Sequence, residues 1–303
     1  MRVVGEEDPL MKYALFLGCT VPVRAMSYEL SARRVAKEFD IEFVDIPDFS
    51  CCGYPVNSLH HETTLLMAAR NLSLAEERGL DVATLCSACT SVLTEAAKKL
   101  AEDENLLAHV NSQMARLGRS YSGKARVKHF VRILYEDVGM DRIKKSVKED
   151  LKSLRIASHY GCHYLKPSEI YDCFDHPELP ISLDRLVEAA GATPVDYITK
   201  KECCGGALLG VDENIALTMA KQKLDDLKAN EVDAINLVCP FCNIMYGANQ
   251  RKIQSKAGVK YEIPVIFYPQ LLGLAMGMTA EELGLNMNPI KPKAMLAKLA
   301  AAS

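Results

Sequence analysis

Ten of the eleven cysteines in this 303-residue chain fall into two copies of one pattern. Each copy has a single cysteine, then an adjacent pair, then a Cys-x-x-Cys, and 33 or 34 residues separate the pair from the Cys-x-x-Cys. The first copy comprises Cys19, Cys51, Cys52, Cys86 and Cys89, and the second comprises Cys162, Cys203, Cys204, Cys239 and Cys242. A motif that recurs at matching intervals predicts two similar structural units.

The segments around the cysteines alternate between strand-like and helix-like patterns. Apolar runs at residues 13–17 and 154–160 lead into the single cysteines, and helix-period segments such as 27–39 and 214–229 follow later in each copy. This alternation is typical of βαβ units, so we predict an α/β fold with a parallel sheet in each lobe. The cysteines then lie just beyond the carboxyl ends of strands, where open α/β sheets place their sites.

The length of the chain favours two domains, because a single hydrophobic core rarely grows this large. We predict a first domain at residues 11–145, a second at 146–288 and a tail at 289–303. The lysine-rich stretch 142–152 is the natural boundary. The tail, with prolines and then an alanine-rich helix, is expected to pack on the second lobe or on a partner.

Composition excludes several functional classes. A net charge of −3 and a pI near 6.2 argue against a nucleic-acid binder. No apolar run reaches the roughly 20 residues that cross a bilayer. The first ten residues carry three acidic side chains and no signal-peptide pattern. We therefore predict a cytoplasmic protein, in which structural disulfides are rare and the cysteines need another explanation.

The cysteine chemistry favours a polynuclear metal centre. Adjacent strand residues point to opposite faces, so a Cys-Cys pair serves one centre only if the backbone turns, which Gly53 and Gly205 permit. A Cys-x-x-Cys that opens a helix favours the thiolate form. Zinc takes four ligands, so five thiolates favour an iron–sulfur centre over one zinc. A zinc half-site or a redox disulfide remains an alternative. Cys173, outside the repeat, is predicted to be a buried small apolar residue.

The repeat also resembles a known family. The ten-cysteine pattern and the stretches 17–20, 160–168 and 239–243 resemble the cysteine-rich CCG domain. Two copies without an attached ferredoxin domain are similar to the B-subunit family of the CoB–CoM heterodisulfide reductases of methanogens. The resemblance covers nearly the whole chain, although the second intervals are slightly short for the family. It implies two Rossmann-like CCG lobes related by a pseudo-twofold axis.

The resemblance implies a function as well. Each five-cysteine set would hold one noncubane 4Fe–4S cluster, and the substrate disulfide between the clusters would be reduced to coenzyme M and coenzyme B. Electrons would come from the C subunit of the reductase, which carries cubane clusters and is itself supplied by the flavin-containing A subunit. Two alternatives stay open. One is a CCG-type electron-relay protein in succinate, lactate, glycolate or glycerol-3-phosphate oxidation, and the other is a zinc-stabilised scaffold without a redox role.

The implied substrate carries a sulfonate and a phosphate, so its site is expected to present cations. Arg24 and Lys166 follow the single cysteines at roughly corresponding places and are the predicted substrate-binding residues. Lys200 and Lys201 are the alternates. His163, next to Cys162, is the predicted catalytic proton donor, because an imidazole titrates near neutral pH.

Overall fold

The computed structural model describes residues 10–302, which form two α/β lobes. The elements of the first lobe are β1 (Met11–Phe16), α1 (Val21–Arg24), α2 (Met26–Glu38), β2 (Ile41–Asp45), α3 (His61–Glu76), β3 (Asp81–Thr84), α4 (Ser87–Glu102), α5 (Glu104–Met114), β4 (Val127–His129), α6 (Phe130–Arg132) and α7 (Met140–Ser146). A 3-10 turn at Tyr54–Val56 follows the first cysteine pair, and a π-helical stretch at Ile133–Val138 joins α6 to the loop before α7.

The second lobe repeats this order of strands and helices. Its elements are β5 (Arg155–His159), α8 (Cys162–Leu165), α9 (Ser182–Ala189), β6 (Thr193–Pro194), α10 (Glu213–Ala229), β7 (Ala234–Leu237), α11 (Pro240–Asn243), α12 (Gln250–Ala257), β8 (Val265–Phe267), α13 (Tyr268–Ala275) and α14 (Lys293–Ala302). A 3-10 turn at Gly206–Leu208 follows the second cysteine pair, at the same place as its counterpart in the first lobe.

Both sheets are parallel and have the same strand order. The first runs β2-β1-β3-β4 and the second β6-β5-β7-β8. Helices cover the central strands, and all four residues of β7 are buried, as expected where a parallel sheet lies between helices. The predicted α/β class with two similar lobes is confirmed. The shared strand order also brings the carboxyl ends of the central strands, and the cysteines after them, to one edge of each sheet.

Two details of the sheets differ from the sequence-based expectation. β6 stops at Pro194, although the apolar run extends to residue 198; the amide of Val195 makes the last backbone hydrogen bond to β5, to the carbonyl of Ile156, and the chain then leaves the sheet. Each sheet also has a fourth strand that the periodicity did not indicate. These strands, β4 and β8, have three residues each, too few to show a period of two.

The lobes share one continuous core. Tyr28 on α2 stacks on Phe267 at the end of β8, with ring centroids 4.0 Å apart. Ser27 donates a hydrogen bond of 2.9 Å to Asn288, and His129 at the end of β4 donates one of 2.9 Å to the carbonyl of Val238. These contacts hold the carboxyl edges of the two sheets against each other.

The carboxyl-terminal helix α14 packs on the second lobe. Met295 is buried, Leu296 and Leu299 contact the core, and Lys298 forms an ion pair of 2.7 Å with Asp233. Among residues 10–302, no helix is long and apolar enough to span a bilayer.

Candidate metal centre

Both cysteine pairs lie on glycine turns at the carboxyl edges of the sheets. Gly53 and Gly205 have φ angles of 94° and 77°, which only glycine adopts without strain. The turn points the amide of Gly53 at Cys51 Sγ (3.5 Å) and the amide of Gly205 at Cys203 Sγ (3.4 Å). Amide donors directed at sulfur favour the thiolate, the form that binds a metal.

Each Cys-x-x-Cys opens a helix and lies against the turn that carries the single cysteine. Cys86 is the N-cap of α4 and Cys239 is the N-cap of α11. A Cβ atom added to Gly18 would lie 2.8 Å from Cys89 Sγ, and one added to Gly161 would lie 3.9 Å from Cys242 Sγ. The single cysteine and the Cys-x-x-Cys, far apart in sequence, are therefore neighbours in space.

The ten repeated thiols interact in one unbroken series that crosses between the lobes. The order of neighbours is Cys19, Cys51, Cys52, Cys89, Cys86, Cys239, Cys242, Cys204, Cys203 and Cys162. All are free thiols, and the contact between Cys86 and Cys239 joins the two sets. Within residues 10–302, no three or more His, Cys, Asp or Glu side chains are placed to hold a single metal ion.

The neighbouring thiols perturb each other's ionisation. Contact with Cys89 lowers the pKa of Cys52 to about 7, and contact with Cys242 holds the pKa of Cys239 well below its ordinary value. The pKa values of Cys89 and Cys242 are raised in turn, first by contacts with neighbouring thiols and then by burial. Each set therefore offers only sulfur donors. In each set some thiols favour the thiolate form, and their neighbours keep protons that a bound cation would displace. This donor chemistry fits an iron–sulfur centre.

Accessibility varies in the same way in both sets. Cys19 and Cys162 are exposed and Cys51 and Cys203 are half-buried, whereas the remaining cysteines, Cys52, Cys86, Cys89, Cys204, Cys239 and Cys242, are buried. Each set therefore reaches the surface at its single cysteine and at one member of its pair.

A cavity of about 760 Å³ lies where the loops of the two pairs meet. Tyr54 and its neighbours come from the first lobe, whereas His163, Phe241 and the turn at Gly206–Leu208 come from the second. Because both lobes line it beside the paired cysteines, this cavity is the candidate substrate site. Neither Arg24 nor Lys166 is among its lining residues.

His163 and Tyr54 form a contact between the lobes inside this cavity. The Tyr54 hydroxyl lies 3.0 Å from His163 Nε2, and the two rings meet edge to face. His163 Nδ1 is buried without a hydrogen-bond partner among the described residues, and burial lowers the pKa of the imidazole. Tyr54 was not among the residues predicted from the sequence, although its position directly after Gly53 is the signal that could have revealed it. The helical turn α8, which carries His163, was not predicted either.

The predicted anchoring cations lie on the surface. Arg24 ends α1 and is exposed, with no side-chain hydrogen bond or ion pair to any of residues 10–302. Lys166 forms an ion pair of 2.6 Å with Glu178, which also pairs with Lys201 at 2.9 Å. Two ammonium groups thus share one carboxylate, and the trio keeps a net positive charge. The alternate Lys200 is instead held by two carboxylates, Asp184 and Asp196.

The prediction that Cys173 is buried is wrong. Cys173 is exposed, in the loop after the 3-10 turn at Ser168–Tyr171. It has a φ angle of 51°, and its amide donates a hydrogen bond to the carbonyl of Ser168. The residue ends a turn instead of belonging to a strand or helix with a buried face, so its apolar character does not determine its exposure.

Two buried side chains of the second lobe lie beside its cysteines. His159 Nε2 is 3.3 Å from Cys242 Sγ. Lys223 on α10 donates hydrogen bonds to the carbonyls of Thr199 and Lys200, in the loop before Cys203. Burial lowers the pKa of Lys223 to about 7, while nearby thiolates oppose that change. Nothing in the helical pattern of the sequence distinguished Lys223 from a surface lysine.

Comparison with known proteins identifies relatives over nearly the whole chain. Residues 13–94 and 156–246 each match the cysteine-rich domain family CCG. The B subunit of a ferredoxin:CoB–CoM heterodisulfide reductase from Methanosarcina mazei is 36% identical over 292 residues, which cover 95% of this chain and 97% of the relative. The 8-methylmenaquinol:fumarate reductase membrane anchor subunit of Wolinella succinogenes is 33% identical over 280 residues, which cover 92% of this chain and 97% of that protein.

The fold also occurs among solved structures. A hypothetical protein from Helicobacter pylori superposes with a TM-score of 0.77 at 16% identity. The superposition covers 94% of this chain and 53% of that longer chain. At this level of identity the similarity establishes the arrangement of the two lobes and nothing about chemistry.

Proposed function

Since this chain belongs to the CCG cysteine-rich family, among its heterodisulfide reductase B subunits, we propose that it reduces the CoM-S-S-CoB heterodisulfide to two thiols. The reaction consumes two electrons and two protons, breaks one sulfur–sulfur bond and forms one S–H bond on each coenzyme. The relatives from Methanosarcina mazei and Wolinella succinogenes are named as subunits of reductases.

We infer that each five-cysteine set holds one noncubane 4Fe–4S cluster. The first would be held by Cys19, Cys51, Cys52, Cys86 and Cys89, and the second by Cys162, Cys203, Cys204, Cys239 and Cys242. Support comes from the all-sulfur donor sets and from the amides directed at Cys51 and Cys203. When bound, such clusters supply single electrons and iron positions that accept sulfur.

The approach of Cys86 to Cys239 is the observation that carries the proposal: Ser87, next to Cys86, donates a hydrogen bond of 3.5 Å to the carbonyl of Val238, next to Cys239. It brings the two donor sets together across the lobes, beside a cavity that both lobes line. A disulfide has two adjacent sulfur atoms, and its cleavage needs a place for each of them. Two matched sulfur-rich sites side by side meet that need, whereas an electron relay requires only one centre within reach of the next.

The protein's own residues would position the substrate and exclude water. Tyr54 and Phe241 provide aromatic walls from opposite lobes of the cavity, and His163 holds the Tyr54 hydroxyl at 3.0 Å. We propose that the C subunit of the reductase, with cubane clusters, delivers the electrons and that the flavin-containing A subunit supplies them to it. Each cysteine set is accessible to solvent at its single cysteine, which is Cys19 in the first set and Cys162 in the second.

The test is heterodisulfide-dependent oxidation of a reduced viologen dye by the iron-loaded protein under anaerobic conditions. We expect one heterodisulfide to be consumed for every two dye molecules oxidised, with both coenzyme thiols as products. Dye oxidation by a quinone but not by the heterodisulfide would contradict the proposal.

A second candidate function is electron relay toward or from a quinone. The similarity to the fumarate reductase protein of Wolinella succinogenes favours it, because that relative is named for a quinol reaction. The same dye assay separates the two functions when a quinone analogue and the heterodisulfide are compared. Stoichiometric zinc in place of iron would instead support the scaffold alternative.

Replacing His163 with phenylalanine is expected to lower kcat for heterodisulfide reduction about 100-fold at acidic pH, where the imidazole with its lowered pKa is protonated, since general acids contribute at least this much. KM should stay within about twofold, and the solvent deuterium isotope effect should change, which a purely structural role would not produce. His60→Phe is the control, because His60 is exposed and bonds only Thr63 among the described side chains. Full activity in His163→Phe would place the proton donor elsewhere.

Although neither Arg24 nor Lys166 lines the cavity, we propose that the anionic ends of the substrate extend to them at the surface. Replacing either with methionine is then expected to raise KM about tenfold with kcat unchanged, because a charge-assisted contact is lost. Steady-state kinetics of each variant measures this, and cluster absorbance confirms that both centres are intact. Lys12→Met is the control, since Lys12 lies at the start of β1, opposite the cysteine edge. An unchanged KM in both variants would mean that other residues bind the sulfonate and the phosphate.

A further inference from the structure

The two cysteine sets are matched in sulfur donors but differ in the buried groups around them. The residue three positions before the single cysteine is Phe16 in the first lobe and His159 in the second. The residue 20 positions after the first cysteine of the pair is Asn71 in the first lobe and Lys223 in the second. At each of these repeat positions, an uncharged side chain in the first lobe corresponds to a basic one in the second.

His159 gives the second set a donor that the first set lacks. Its Nε2 atom lies 3.3 Å from Cys242 Sγ, and the side chain is buried. A thiolate that binds a metal can only accept, so the imidazole must donate its Nε2 hydrogen to this sulfur. Phe16, its counterpart, packs against Phe49 and has no hydrogen to donate.

Lys223 gives the second set a buried cation. Asn71 and Lys223 hold equivalent loops: Asn71 donates to the carbonyl of Cys51 (3.1 Å), and Lys223 donates to the carbonyls of Thr199 and Lys200. The first lobe bonds the matching carbonyl, that of Asp48, through the half-exposed Arg70, whereas the second lobe uses a buried amine with a pKa of about 7, which is protonated below that pH. Lys223 is 1% exposed, so water screens its field very little.

Two exposed charges act against this electrostatic difference between the two cysteine sets, but their effect is weaker. In the first lobe Arg70 bonds the carbonyl of Asp48, and in the second lobe Glu202 precedes Cys203. Arg70 is half-exposed and Glu202 is exposed, so solvent and salt screen both charges. The hydrogen bond from the buried His159 to Cys242 therefore sets the sign of the difference between the sites, and Lys223 adds to it where its amine is protonated.

We propose that the second cysteine set holds the centre with the higher reduction potential, so that it is reduced before the first. Hydrogen bonds to sulfur and nearby positive charge both stabilise the reduced, more negative state of an iron–sulfur centre. The inference rests on the proposed function, because it requires a cluster in each set. His159 and Lys223 are positioning residues in this account, since they act through the sulfur atoms and do not touch substrate.

The test is an anaerobic redox titration of the iron-loaded protein, reduced stepwise with dithionite without heterodisulfide and followed by EPR. Cys89→Ser and Cys242→Ser assign the signals to the first and second sets. We expect two separate midpoints, with the higher one absent from Cys242→Ser. At about pH 6, below the Lys223 pKa of about 7, Lys223→Gln keeps hydrogen-bond donors but loses the charge. The higher midpoint should then fall by about 59 mV, which corresponds to a tenfold change in the reduced-to-oxidised ratio for one electron.

Two further variants separate charge from structure. Lys223→Arg keeps the charge and should restore the midpoint, whereas His159→Phe, which copies the first lobe, should lower the same midpoint and leave the other unchanged. Any of three results would overturn the inference. The higher midpoint could persist in Cys242→Ser, the two midpoints could coincide in the wild type, or both centres could shift equally in Lys223→Gln. These results would leave heterodisulfide reduction standing, whereas a protein that binds no iron would end both proposals.

Discussion

Replacing Cys242 with serine will remove the cluster of the second set and lower heterodisulfide reduction by more than about 100-fold, since even changes around metal ligands cost that much. Cys242 is buried, and its thiol lies between those of Cys204 and Cys239. The hydroxyl of serine is a poor substitute for a thiolate ligand of iron. Iron content should fall to about half, because the first set keeps all five of its donors.

Cys173→Ser is the matched control in the same lobe. Cys173 is exposed and lies outside the series of interacting thiols. Its iron content, EPR spectrum and activity should equal those of the wild type. A loss of iron in this variant, or a full complement of iron in Cys242→Ser, would contradict the assignment of ligands in the second repeat.

Replacing Gly205 with alanine is expected to have the second large effect. The added Cβ would lie 2.8 Å from the carbonyl oxygen and 3.1 Å from the Cα of Ala216, and the φ angle is 77°. These are backbone atoms of α10, so relief requires moving the helix or the cysteine turn. Left-handed strain of about 1–2 kcal/mol and overpacking of about 1–3 kcal/mol together predict a loss of about 3 kcal/mol in the free energy of unfolding.

Gly258→Ala separates these two contributions. Gly258 also has a positive φ angle, 65°, but nothing lies within 4 Å of its added Cβ. It should therefore lose only the strain of about 1–2 kcal/mol. Anaerobic urea titration followed by cluster absorbance measures both variants. Equal midpoint shifts would mean that the close approach of Gly205 to α10 does not constrain the cysteine turn.

Local features of the sequence predicted much of the fold. Alternating apolar and helix-period segments correctly indicated two α/β lobes, because buried parallel strands and covering helices leave strong local patterns. The glycines after the pairs correctly indicated turns, since Gly53 and Gly205 both have positive φ angles. The three-residue strands β4 and β8 were missed because their pairing depends on distant neighbours instead of a local period.

The parts of the site that depend on contacts between lobes could not be predicted from sequence. Tyr54 and His163 are 109 residues apart, and no repeat position links them. Within the second lobe, the buried Lys223 bonds two carbonyl groups in the loop before Cys203, a contact that the local helical pattern does not show. The approach of Cys86 to Cys239 follows from packing of the two sheet edges, which the cysteine spacing within each copy does not describe.

The iron and acid-labile sulfide content of the anaerobically purified protein is the most direct test of whether the duplicated cysteine sets hold iron–sulfur clusters. Two four-iron centres predict about eight iron atoms and a similar amount of sulfide per chain. Exposure to air should bleach the visible absorbance, because each set reaches the surface at Cys19 or Cys162. Stoichiometric zinc with little iron and no sulfide would contradict this central claim.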